Sequence, residues 1–171
     1  EQEVDHVKPA ELAAWIVEGR ADYRLIDLRT ADEFAAYHIP TAENAELTAL
    51  TEYPLLRNEK IVLYSEGGIH SAQAWLLLRA QGYEGVYTVL GGLDGWKDEV
   101  LFPVLPADAG PRDRAQIERT AALAQFFGGQ PRADGAAAAE ASATALPKLT
   151  APAATGPAVP GAPRKKKKEG C

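Results

Sequence analysis

The residues best suited to chemistry lie in a short loop between an apolar strand and a helix. Ser65 is the first residue of this loop and His70 the sixth, with Gly67 and Gly68 between them. In α/β proteins such a loop directs its backbone N–H groups and the positive end of the helix towards one point, which suits a nucleophile or an anion. Glycines permit the backbone angles that leave these N–H groups uncovered. The predicted site, called the site loop below, consists of Ser65, Glu66, Gly67, Gly68, Ile69, His70 and Ser71.

A serine and a histidine in one loop also suggest hydrolytic catalysis. The spacing differs from the Gly-x-Ser-x-Gly pattern of the nucleophile elbow, and the sequence identifies no acid that would orient His70. His70 is equally able to cap the following helix or to face solvent. A binding function is therefore favoured over a Ser–His hydrolase.

Strand-like and helix-like segments alternate along the first 105 residues, which indicates βαβ units and a mostly parallel sheet. Pro9 begins the first predicted helix, and Thr30 with Glu33 forms a capping box for the second. Gly82 closes the helix that follows the site loop. The predicted helices span 9–18, 30–37, 47–56 and 70–81, with a short one around Trp96, and the predicted strands span 23–28, 61–64 and 86–90.

Three sequence motifs surround or include the site loop. They read LIDLR at 25–29 followed by EF at 33–34 and HIP at 38–40, IVLY at 61–64 followed by the site loop, and LGGLDGW at 90–96. In this order and spacing they resemble the rhodanese-like family of sulfurtransferase domains, with Thr41 in the place of the family's glycine. The resemblance covers about residues 4–100. It implies an α/β fold with a five-stranded parallel sheet flanked by helices and a ligand pocket at the site loop.

Two site-loop positions depart from the family pattern, which normally has a catalytic cysteine first and an arginine sixth. The family passes sulfane sulfur through a cysteine persulfide, from a donor such as thiosulfate to a thiophilic acceptor, and this requires a thiolate. Ser65 keeps its proton at neutral pH without a strong base, and sulfur held on oxygen is not a usable persulfide. His70 in place of the arginine and the charge of Glu66 both weaken the binding of an anionic donor.

The first functional hypothesis is therefore a non-catalytic rhodanese-like domain whose pocket binds a ligand or a protein partner. A small oxyanion, such as a sulfur donor, and an acidic group of a partner both suit the cradle, and an empty vestigial pocket is the alternative. By the resemblance, Asp27 and Arg29 are expected to tie loops together at the sheet edge, and His38 to be a buried structural histidine. His6, His38 and His70 are 32 residues apart with no cysteine between them, so neither a metal site nor a cofactor is predicted.

The chain after residue 105 differs in composition from the domain at 1–105. Residues 112–127 are predicted to form an amphipathic helix within an extension spanning 106–130. This helix is expected either to pack on the domain or to dock a second subunit or partner. Residues 131–171 are rich in Ala, Pro, Gly, Thr and Ser without a periodic apolar face, which predicts a disordered low-complexity tail with a basic end.

Cys171, the only cysteine, ends this tail and supports a second functional hypothesis. A coil of about 40 residues spans roughly 35 Å, so its thiol would reach the site loop and act as a sulfur carrier in place of the missing loop cysteine. The alternative is an exposed thiol used for attachment or dimerisation, or one without a role. The basic end is expected to be solvated, with contact to an anionic surface as a lesser alternative. Its lysines are Lys165, Lys166, Lys167 and Lys168.

The distribution of charge excludes some classes of partner. The chain has 18 basic and 24 acidic residues; seven and three of these lie in residues 131–171, which leaves eleven and twenty-one in the first 130 residues. An acidic body argues against nucleic-acid binding by the domain. No apolar run reaches the roughly 18 residues that a membrane span requires. Because the chain starts without a methionine, we expect an exported or periplasmic protein whose targeting segment was removed, with a cytoplasmic location as the alternative.

Overall fold

The main sheet has five parallel strands in the order β1-β5-β4-β2-β3, as the family resemblance predicts. The computed structural model describes residues 5–106, 110, 113–133 and 146. β4 lies at the centre and aligns Tyr64 with Asp27 of β2, so these two strands end at the same edge of the sheet. The strands are β1 His6–Val7, β2 Arg24–Asp27, β3 Glu43–Asn44, β4 Ile61–Tyr64 and β5 Val86–Val89.

Helices cover both faces of this sheet, which gives a three-layer α/β fold. All of β4 is buried because its alternate side chains point to opposite faces. Val62 and Tyr64 join the core under α1 and α4, whereas Ile61 and Leu63 join the core under α3. The helices are α1 Pro9–Val17, α2 Ala31–Ala36, α3 Ile69–Ala80, α4 Gly92–Trp96 and α5 Arg114–Phe126, with a 3₁₀ turn at Leu47–Ala49 and a π-helical turn at Lys97–Leu101.

The sequence correctly predicts the capped start of α2, but the helix that it predicts after β3 is too long. At α2, Thr30 Oγ1 accepts a hydrogen bond from Glu33 N at 3.4 Å, and Glu33 Oε2 accepts one from Thr30 N at 3.0 Å, so the predicted capping box is confirmed. The helix predicted over 47–56 is wrong in its length, because one 3₁₀ turn at Leu47–Ala49 replaces it. Pro54 disfavours helical backbone at the residue before it, so a helix that reached Leu56 is not compatible with this sequence.

The C-terminal extension packs back onto the domain through the end of α5, the first of its two predicted arrangements. The ring of Phe127 meets the buried ring of Trp96 edge-on, with 5.0 Å between the ring centroids. Gly129 fits against Leu101, where an added Cβ would overlap the Leu101 backbone. Phe126, by contrast, is 65% exposed.

A short parallel strand pair follows the extension. β6 at Val104–Leu105 pairs with β7 at Arg132–Ala133, and Arg132 N donates to the Pro103 carbonyl oxygen at 2.8 Å. The prediction of disorder from residue 131 onwards is therefore wrong for 132–133, because backbone hydrogen bonds can form a strand in a segment without apolar side chains. Apart from Leu146, which packs against the core, the rest of the predicted tail lies outside the described residues.

Thr41, which replaces the family's glycine, has a left-handed backbone with φ of 72°. A β-branched residue is strained there because its Cβ crowds the backbone, and glycine is not. Thr41→Gly is therefore expected to raise the free energy of unfolding by about 1 kcal/mol, measured by urea unfolding. Thr41→Ala keeps a Cβ and is the control. An equal gain for alanine would show that backbone strain is not the cause.

Candidate functional site

The site loop leaves the carboxyl end of β4 and leads into the first turn of α3. Gly68 precedes the helix with a left-handed φ of 94°. Ser71 N donates to Ser65 Oγ at 3.3 Å, whereas the backbone N–H groups of residues 66–70 donate to none of the described residues. Unpaired donors at a helix N-terminus favour a negatively charged group. The loop therefore has free N–H groups that suit such a ligand.

Ser65 lies at the base of the loop and is 2% exposed. Its hydroxyl oxygen accepts the hydrogen bond from Ser71 N and forms none with a basic side chain in the part of the chain that the structure describes. A serine hydroxyl without a base keeps its proton and is a weak nucleophile.

His70 is exposed in the first turn of α3 and does not hydrogen-bond to Ser65. The charge of His70 acts on Glu33. Hydrogen bonds from Thr30 lower the pKa of Glu33 most, and the charges of Arg29 and His70 lower it further. Facing solvent was one of the two positions that the sequence left open for His70. The structure therefore brings no Ser–His pair together.

Gly92 supports the site loop, a role that was not predicted from the sequence. It begins α4 with φ of 59°, and an added Cβ would overlap the Ser65 carbonyl oxygen and lie 2.7 Å from the Glu66 carbonyl oxygen. Leu93 N donates to the Ser65 carbonyl oxygen at 2.8 Å, and Asp94 N donates to that of Glu66 at 3.1 Å. The LGGLDGW motif is one of the three that resemble the family, but its residue types do not indicate that this segment holds the site loop.

Asp27 and Arg29 form a buried ion pair where β2 ends. The Asp27 carboxylate accepts hydrogen bonds from Arg29 Nη2 at 2.7 Å and Nε at 3.1 Å, and Arg29 Nη2 also donates to the Tyr37 carbonyl oxygen at 2.6 Å. Burial acts to lower the pKa of Arg29, but the hydrogen bonds and charge of Asp27 outweigh it, so this pKa is raised. The pair joins the end of β2 to the segment after α2.

Glu66 lies between two cations at the mouth of the loop. Its Oε2 accepts a hydrogen bond from Arg29 Nη1 at 3.2 Å, and its Oε1 accepts one from Lys97 Nζ at 2.7 Å. Lys97 also donates to Asp94 Oδ1 at 3.4 Å. Lys97 was not predicted from the sequence, because no motif connects the π-helical turn after α4 with a loop residue 31 positions earlier.

Two buried tyrosines near the ion pair are excluded as bases at neutral pH. Burial raises the pKa of Tyr37 to about 12, and its hydroxyl accepts a hydrogen bond from Trp96 Nε1 at 3.0 Å. Burial, together with the charge of Asp27, raises the pKa of Tyr64. Both phenols keep their protons at pH 7.

The other predicted site residues lie elsewhere. Cys171 and the basic stretch 165–168 lie outside the described residues. His38 is half-buried, not buried as predicted, because it packs on α2, a helix without buried residues. Its ring stacks on Phe34 with 3.9 Å between centroids, and its Nδ1 lies 2.9 Å from the Phe34 carbonyl oxygen. Among the residues with described positions, no three His, Cys, Asp or Glu side chains group as metal ligands. None of the helices in the same residues is long and apolar enough to cross a membrane.

Comparison with known proteins gives a consistent relationship across the domain. Residues 8–99 match the family described as Rhodanese-like domain. Thiosulfate sulfurtransferase GlpE of Coxiella burnetii is 29% identical over 90 residues, which cover 52% of this chain and 84% of that protein. The tRNA uridine(34) hydroxylase of Xanthomonas campestris is 30% identical over 149 residues, which cover 79% of this chain and 55% of that protein.

Solved structures show the same similarity. The rhodanese-like domain of an Anabaena sp. protein is 26% identical with a TM-score of 0.51, and the match covers 54% of this chain and 73% of that one. A rhodanese-like domain protein from Staphylococcus aureus is 27% identical with a TM-score of 0.50, over 55% of this chain and 92% of that one.

Proposed function

Because this chain belongs to the rhodanese-like domain family, we propose that its site loop binds a ligand or a protein partner and does not transfer sulfur. The environment of Ser65, which stands where the family has its catalytic cysteine, carries this proposal. Its hydroxyl is buried, accepts a hydrogen bond from Ser71 N and contacts no base among the described residues. A neutral hydroxyl cannot attack a sulfur donor as a thiolate does.

The surroundings of the loop support an acidic or acceptor-rich group as the ligand. The unpaired N–H groups of residues 66–70 suit a carboxylate or another oxyanion. Ile69 lies beside them and is 74% exposed. A partner segment that carries such a group would also cover this side chain.

A second candidate function is a sulfur carrier that uses Cys171. It is favoured by the observation that the only thiol of the chain lies outside the site loop. The similarity to a thiosulfate sulfurtransferase adds support. The two candidates differ in whether Cys171 is needed for any sulfur chemistry.

Intact-mass analysis after incubation with thiosulfate, and separately with polysulfide, tests both candidates. With thiosulfate, a binding domain is expected to gain no sulfur, and Cys171→Ser is expected to behave in the same way. Polysulfide loads any accessible thiol by direct exchange and is the positive control for Cys171. A gain of one sulfur atom from thiosulfate that disappears in Cys171→Ser would overturn the proposal and identify the tail as a carrier.

Ser65→Cys, made in the Cys171→Ser background, is expected to load close to one sulfur atom per chain from polysulfide. The new thiolate would lie at the N-terminal end of α3, which stabilises negative charge. Intact mass measures the adduct, and Ser65→Ala in the same background is the control without a thiol. If Ser65→Cys remains unmodified, the serine is not what prevents sulfur transfer.

A further inference from the structure

We propose that Glu66 is a built-in anion that occupies the cation pair at the mouth of the site loop and thereby excludes small free oxyanions such as thiosulfate and sulfate. This inference rests on the binding function proposed above and specifies its selectivity. It makes Glu66 a specificity-determining residue of the loop.

The hydrogen-bonding capacity of Arg29 supports this role. Asp27 takes the Nε and Nη2 groups of the guanidinium, and Glu66 takes Nη1. The Arg29 side chain is 6% exposed, whereas that of Glu66 is 48% exposed. The guanidinium therefore cannot turn outwards to a free anion, and Glu66 covers the one nitrogen that faces the mouth of the loop.

Lys97 supplies the second cation and is also neutralised. It lies 2.7 Å from Glu66 Oε1 and 3.4 Å from Asp94 Oδ1. Asp27, Glu66 and Asp94 thus place three carboxylates against the two cations. A net negative charge at the mouth opposes the attraction that the loop N–H groups would exert on a free oxyanion.

Glu66 belongs to the same chain as Arg29 and Lys97, and this strengthens the exclusion of free anions. A group tethered beside its partner acts at an effective concentration in the millimolar range or above, and a free ion must compete with it. A ligand that makes further contacts with the protein, such as an acidic segment of a partner, has additional binding energy to displace Glu66. The structure therefore favours an acidic group carried on a protein over a free ion.

Anion titration of the full chain tests the inference. Thiosulfate and sulfate are each titrated at constant ionic strength into the native chain and into Glu66→Gln, and binding is followed by calorimetry and by the amide chemical shifts of Gly67 and Gly68. Glu66→Gln is expected to bind about tenfold more tightly or better, because it removes the negative charge that lies against Arg29 and Lys97 and repels a free anion.

Two further variants show whether the gain is specific. Glu52→Gln removes the same charge from an exposed residue outside the site loop and is expected to bind like the native chain. Glu66→Gln combined with Lys97→Met is expected to lose most of the gain. The inference is overturned if Glu66→Gln binds no better than the native chain, if Glu52→Gln gains equally, or if the Lys97→Met combination keeps the full gain.

These outcomes are independent of the sulfur-loading experiment. All four proteins retain Ser65, and the readout is equilibrium binding without sulfur transfer. A native chain that loads sulfur from thiosulfate would contradict the proposed function, and the anion titrations would still give the ranking of affinities that tests Glu66. If the native chain loads no sulfur and Glu66→Gln binds anions no better than the native chain does, only the role of Glu66 is contradicted.

Discussion

Asp27→Ala is expected to lower the free energy of unfolding by about 3–5 kcal/mol, because it leaves the Arg29 guanidinium buried without its main partner. Asp27 is fully buried, and the Arg29 side chain is 6% exposed, so water cannot replace the lost carboxylate. Domains of this size are stable by only about 5–15 kcal/mol, so the loss is a large part of the total. Urea unfolding followed by circular dichroism measures it.

A double-mutant cycle separates the pair from general loss of packing. Arg29→Met removes the cation, and the combination of Asp27→Ala with Arg29→Met removes both charges. The double variant is expected to be less destabilised than the sum of the single variants, because no buried charge is left alone. Additive effects would show that the two side chains do not depend on each other.

Gly92→Ala is expected to lower the free energy of unfolding by about 2–4 kcal/mol and to displace the site loop. Its Cβ would overlap the Ser65 carbonyl oxygen and lie 3.1 Å from Gly68 N, so a backbone segment must move. The left-handed φ of 59° adds strain for any residue with a Cβ. Urea unfolding gives the stability, and the amide chemical shifts of residues 65–71 report the displacement.

Gly67→Ala is the matched control for Gly92→Ala. A Cβ at Gly67 meets Asp94 Oδ2 at 3.8 Å, which is ordinary van der Waals contact, and Gly67 does not have a positive φ. It is expected to change stability by less than about 1 kcal/mol. If Gly67→Ala destabilises the protein as much as Gly92→Ala does, the close contact at Gly92 is not the cause.

The sequence predicts those elements whose causes are local. The apolar run at 61–64 becomes the fully buried β4, and the segment that ends at Gly82 becomes α3. β1 and β3 have two residues each and no periodic pattern, because they exist only by pairing with β5 and β2. Their presence followed from the family resemblance and not from their own residues.

The candidate site likewise combines features that are predictable from the sequence with contacts that are not. The motifs identify the site loop, Asp27 and Arg29, because these residues lie close to one another along the chain or directly after a strand. The contact between Glu66 and Lys97 depends on how the π-helical turn places a side chain beside a distant loop. Chain geometry of this kind leaves no signal in the spacing of residue types, so neither the pairing of Glu66 nor the role of Gly92 was predictable.

The backbone contacts between α4 and the site loop have a consequence for how this protein can change over time. Leu93 N and Asp94 N hold the carbonyl oxygens of Ser65 and Glu66, so the loop keeps its shape through main-chain atoms. In the described part of the chain, the Ser65 side chain contributes one long hydrogen bond of 3.3 Å. The side chain at position 65 can therefore be replaced without a change in the backbone of the site loop. Evolution can remove or restore a reactive group there in a single substitution, without rebuilding the fold that surrounds it.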